Sequence, residues 1–132
     1  MINFLTTIRE GYFFFLKRMR GVYPTLKQIN EGLRYVYFGY FIAILSLIVV
    51  LFTSGNLQTI ALTLPSKLIL AGLIFFIYNL IFKNLHRDIF DRPIDANQDP
   101  EHIKALIYNF IFVFLGSFFS ILIVFFISYL LN

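Results

Sequence analysis

Between Arg34 and Lys67 the chain carries no charged residue, and it carries none after Lys104. The stretch from Tyr35 to Phe52 is almost unbrokenly apolar. As a helix rising about 1.5 Å per residue, it is long enough to cross a hydrocarbon layer of about 30 Å. The run from Ala105 to Leu131 is uncharged throughout and exceeds the roughly 20 residues that a crossing needs, so it should tilt or emerge at one end. A chain of 132 residues that is 59% hydrophobic and 14% charged, with mean hydropathy +0.80, cannot hide this much apolar surface in a soluble core. The expected fold class is therefore all-α and integral to a membrane.

A third crossing is weaker. Leu68 to Phe82 is free of charge but only 15 residues long, so a full span must recruit residues upstream, from about Ile60. Pro65 then falls in the opening turns, where its missing N–H costs little, and Lys67 can extend to the interface. The segment Thr53 to Thr59 suits a tight turn between antiparallel helices. Three transmembrane helices are expected, preceded by a separate N-terminal region. The division is residues 1–34, a cytoplasmic-side amphipathic segment, and 35–132, a three-span domain with an internal loop over 83–104.

Ten of the eleven Lys and Arg lie either before the first span or between the second and third, and only Lys67 lies towards the other side. The positive-inside rule then predicts a cytoplasmic N-terminus and an external C-terminus in a bacterial inner membrane, although a mitochondrial inner membrane fits the same hydropathy. The first 34 residues do not fit a signal peptide, because the apolar stretch Tyr12 to Leu16 is too short. They suit a surface-lying helix: Ile8, Tyr12, Phe15, Leu16 and Met19 recur near helical spacing, and Arg9, Lys17, Arg18 and Arg20 can face anionic headgroups. Gly21 and Pro24 should end it, with Thr25 to Arg34 leading into the first span.

No Asp, Glu, His or Arg lies deep in a span, which speaks against proton relays, ion pathways and haem ligation. With no cysteine, disulfides and thiolate-bound metals are excluded. The spans offer packing chemistry instead. Gly39 with Ala43 and Gly116 with Ser120 are small residues one helical turn apart, and Ala71 and Gly72 are adjacent in the second span, which lets helix backbones approach closely. Asn79 and Asn109, each in a Tyr-Asn pair, would lie at similar depth if the second and third spans formed a hairpin. They would then either hydrogen-bond each other or each bond locally.

Any chemistry outside the spans must sit in the loop 83–104. There Asp88, Asp91, Asp95 and Asp99 could share one face of an uninterrupted helix, but Pro93 and Pro100 argue against that helix. Pro100 should open the last helix, with Asp99 as its N-cap and Glu101 beside its positive end. His86 and His102 are isolated, and neither the spacing of a metal site nor a basic-aromatic pattern for nucleic acid is present. The expectation is a non-catalytic protein without cofactor whose partners are membrane lipids and another membrane protein.

Two resemblances attach to these residues. The run Asp88-Ile-Phe-Asp91-Arg92-Pro-Ile-Asp95-Ala96, followed by Pro100, resembles the first aspartate-rich motif of the UbiA prenyltransferases. That resemblance implies a magnesium and prenyl-diphosphate site, although Arg87 stands where the motif has Asn and no second motif follows. From the second span onward, Leu64-Pro65-Ser66-Lys67, then Arg87-Asp88-Ile89-Phe90-Asp91-Arg92, then Pro100 and Lys104, the chain is similar to immunity proteins against pore-forming colicins. That similarity implies a three-span inhibitor that meets a toxin's channel helices within the membrane. An accessory or anchor subunit of a larger membrane complex satisfies the same residues.

Overall fold

A computed structural model describes residues 2–52, 64–89 and 91–131. The expected turn at Thr53 to Thr59 lies outside them. Four helices follow in order: α1 (Ile2–Arg20), α2 (Leu26–Phe52), α3 (Leu64–His86) and α4 (Pro100–Leu131). No strand occurs among the described residues. The last three helices are each long and apolar enough to cross a membrane, so the chain is a multi-pass membrane protein.

Local chemistry sets the helix ends. α1 stops where Gly21 takes φ +72° and its N–H bonds back to the carbonyl of Lys17 at 2.9 Å, a left-handed cap that suits glycine. Thr25 and Gln28 then start α2 with a reciprocal capping box: the Thr25 N–H donates to Gln28 Oε1 at 3.0 Å, and the Gln28 N–H donates to Thr25 Oγ1 at 3.3 Å. This cap makes the segment before the first span part of one continuous 27-residue helix rather than a separate piece. Pro65 is the second residue of α3, and Pro100 is the first of α4, as their chemistry requires. Asp99 caps α4 by accepting from the His102 N–H at 3.4 Å.

α4 has 32 residues and is about 48 Å long, well beyond a bilayer core of about 30 Å. The excess explains where α1 goes. α1 lies across the first turns of α4 and α2, at the end of the bundle that also holds the 87–99 connection, and packs mainly on α4. α2 and α4 run parallel: Gly39 faces Ser117, Tyr40 faces Gly116, and further along Ala43 and Val50 cluster with Val124. α3 runs the opposite way along another flank of α2, with Phe38 on Phe75 (5.6 Å between ring centres) and Tyr37 on Phe82 (6.1 Å). The hairpin expected between the second and third spans is therefore not the packing unit. α2 is the shared neighbour, and α3 and α4 flank it.

The helices are held by different forces at the two levels. Ile8, Phe13 and Phe14 of α1 are buried against the ends of α2 and α4, where water is the alternative, and each such side chain contributes about 1.5–3 kcal/mol. Within lipid that drive is absent, so close packing and buried hydrogen bonds must hold α2 to α4. The Ser117 hydroxyl donates to the Val36 carbonyl at 2.6 Å, and the Tyr40 hydroxyl donates to the Val113 carbonyl at 2.7 Å.

Candidate functional site

The polar end of the bundle is built around α1. Arg9 is 1% exposed, and its Nη2 donates to the carbonyl oxygen of Arg92 at 2.9 Å. Burial holds the guanidinium below its ordinary pKa, while Glu10 and then Asp91 act in the opposite direction. The expectation that Arg9 faces headgroups is thus corrected: it is an internal tie between α1 and the connection from α3 to α4. Two residues further on, Gly11 meets α4 so closely that a Cβ there would lie 2.1 Å from the Leu106 carbonyl oxygen. Tyr12 stacks on Phe110 at 4.7 Å and lies over Gly32 of α2. The apolar stripe of α1 also differs from the expected one. Phe13 and Phe14 are buried and Met19 is exposed, because the helix packs on two neighbours at once.

Lys17 donates to the Tyr23 hydroxyl at 2.7 Å and lies over the same ring, whereas Arg18 and Arg20 are exposed. A mid-helix glycine, costly beside alanine, was the available sign of a close approach at Gly11. Nothing in the residue pattern marks Arg9 as buried.

The loop 87–99 is anchored by apolar residues that its charges conceal. Ile89 is fully buried and Ile94 packs against the main core, while Arg87, Asp88, Asp91, Arg92 and Asp95 are exposed. Asp95 accepts from the Asn97 N–H at 2.9 Å, closing a local turn, and Asp99 is engaged as the α4 cap. Among the described residues no three of His, Asp and Glu come together as metal ligands. His86, expected at headgroup level or in the loop, is the last residue of α3 and is 1% exposed. Its ring stacks on Phe82 at 4.2 Å and lies 5.3 Å from Tyr37, and its Nδ1 is 3.1 Å from the Phe82 carbonyl, which fixes that nitrogen as the donor.

The small residues form one seam inside the chain. A Cβ on Gly39 would meet Ser117 Oγ at 2.1 Å, one on Gly116 would meet the Tyr40 hydroxyl at 2.3 Å, and Ala43 is buried beside Val50 and Val124. Ser120 bonds within its own helix, donating to the Ser117 carbonyl at 2.8 Å. Gly39, Ala43 and Gly116 thus lie between α2 and α4, and that contact already occupies the seam that a partner would have met. Asn79 donates to the Phe75 carbonyl of its own helix at 2.7 Å, and Asn109 is exposed, so the two are not paired with each other. Ala71 and Gly72 are exposed on α3, with nothing within 4 Å of the Gly72 position.

Two lateral grooves complete the geometry. One, of about 530 Å³, lies between α1, α2 and α4 beside Gly39 and Phe114. The other, of about 560 Å³, lies between α3 and α4 with α2 as its floor and Phe4 and Leu5 of α1 at one end. Fold and site together define a three-span membrane protein whose first helix, α1, closes one end of the bundle. No family model matches the chain, and no curated protein and no solved structure matches it.

Proposed function

We propose that this chain is a non-catalytic protein of a bacterial inner membrane, with its N-terminus in the cytoplasm and its C-terminus outside, that acts by binding transmembrane helices of another protein. Within that class, we propose an immunity protein whose partner is the channel helix of a pore-forming toxin. The observation that carries the reading is the state of α3. Its principal contact is with α2, and Leu68, Ile69, Leu73 and Phe76 are exposed along an uncharged face that also holds Gly72. A helix held on one flank offers the other to a neighbour in lipid, where small residues allow close approach and aromatic residues supply contact area.

The distribution of Lys and Arg supports the orientation. The aspartates of the loop support a structural role, since Asp95 and Asp99 are engaged in a turn and a helix cap.

The test is survival. Cells that express the chain, challenged with a panel of pore-forming colicins, should resist one of them, and introducing charge at Gly72 (Gly72→Arg) should abolish that resistance without loss of the protein from the membrane. Equal killing with and without the chain across the panel removes the immunity reading. Recovery of a fixed set of several membrane proteins with the tagged chain would instead make it a subunit of that assembly.

A further inference from the structure

The groove between α3 and α4 has features at one end that the packing of the chain does not use. Its walls are apolar and aromatic, from Phe41 on α2, Tyr78, Ile81 and Phe82 on α3, and Val113 on α4. Arg34 stands one turn before Tyr37 on α2, and its guanidinium lies 5.7 Å from the centre of the Phe82 ring. It is the last cation before the uncharged interval that follows. No carboxylate pairs with it among the described residues, because the nearest acid on its helix, Glu31, is the partner of Lys27 at 4.0 Å. Arg34 Nε and the Tyr37 hydroxyl are both buried without a hydrogen-bond partner among the described residues. Arg34 is not itself a wall of the groove; it stands behind the Phe82 ring that lines it, at the end where Tyr37 also lines it.

We propose that the groove between α3 and α4 seats one acyl chain of an anionic phospholipid from the surrounding bilayer, with Arg34 holding its phosphate. An apolar trench open to lipid takes up acyl chain in preference to remaining empty, since its lining otherwise lacks contact atoms. A basic pocket between spans at the headgroup level then selects the charge of the lipid. Arg34 supplies donors in a planar fork suited to phosphate oxygens, and the Tyr37 hydroxyl supplies one more. The lipid would fill the groove beside α3, whose main contact is with α2, and so hold α3 upright. This site is independent of the partner proposed for the outer face of α3.

The experiment uses the full chain reconstituted in phosphatidylcholine vesicles, with spin-labelled phosphatidylglycerol or spin-labelled phosphatidylcholine as the probe. The motionally restricted fraction should favour the phosphatidylglycerol by about fivefold, the effect of one cation near an anionic headgroup. Arg34→Gln should remove that preference, Arg34→Lys should keep most of it, and Ile81→Trp, which fills the groove, should lower restriction of both probes. Equal restriction of the two probes, or a preference that survives Arg34→Gln, overturns the proposal. If Arg34→Gln does not reconstitute, displacement of the probe from the unaltered chain by unlabelled phosphatidylglycerol but not by phosphatidylcholine decides the matter, and failure of displacement overturns it. Displacement by millimolar inorganic phosphate would show a phosphate site without lipid. Disulfide formation between copies bearing Ile81→Cys, with the probe excluded, would show a second copy in the groove. Either result overturns the proposal.

Discussion

Arg9 Nη2 donates to the carbonyl oxygen of Arg92 at 2.9 Å, joining the first helix of the chain to the connection between its last two. A charged donor on a backbone acceptor is worth about 1.5–3 kcal/mol. Arg9→Met keeps the aliphatic stem and removes the donor. Hydrogen exchange at residues 91–97 should accelerate about tenfold or more, while exchange in the α2 and α4 spans stays unchanged. Unaltered protection of the loop would show that Arg9 does not hold it.

Gly11 and Gly21 should respond oppositely in kind. At Gly11 an added methyl collides with the Leu106 backbone, and overpacking of this sort costs about 1–3 kcal/mol, so Gly11→Ala should lift α1 and open its backbone at Lys17 and Arg18 to trypsin. At Gly21 there is open space and only the positive φ to satisfy, so Gly21→Ala should shift the cap by about 1 kcal/mol without raising cleavage in the body of α1. Equal cleavage in both variants would mean that α1 is not seated on α4 at Gly11.

The α2–α4 seam predicts a rescue. Gly39→Ala places a carbon against Ser117 Oγ and should lower thermal stability in detergent, and Ser117→Ala alone should also lower it by breaking the bond to the Val36 carbonyl. Together they should destabilise less than the sum, with a coupling of about 0.5–3 kcal/mol. Strict additivity would separate the two residues.

Asn79 and Asn109 supply the contrasting case. Since Asn79 bonds within α3 and Asn109 is exposed on α4, alanine at both positions should give effects that add within about 0.3–0.5 kcal/mol. A larger coupling would restore a direct contact between them.

The spans and helix ends were legible because their causes are local. Long uncharged runs force helices in lipid, Gly21 and Pro24 stop α1, and Pro100 with Asp99 starts α4. The small residues of the seam could be named, but which helix faced which could not, since Gly39 suits a neighbour in this chain and in another equally well. Arg9 and His86 defeated the residue pattern for a shared reason. Arg9 is buried by the connection after α3 and His86 by a ring of α2, and no spacing along one helix encodes such convergence. The grooves were illegible for the same reason.

The parallel seating of α2 and α4 imposes an order on biogenesis. α2 leaves the ribosome long before its main companion exists, so it must wait in the bilayer beside α3, the only other span made before α4. The seam closes when α4 inserts, and the platform for Gly11 and Tyr12 forms only then. The helix that is synthesised first is therefore the last to find its berth, and a chain arrested before α4 should leave its amino-terminal helix adrift at the membrane surface.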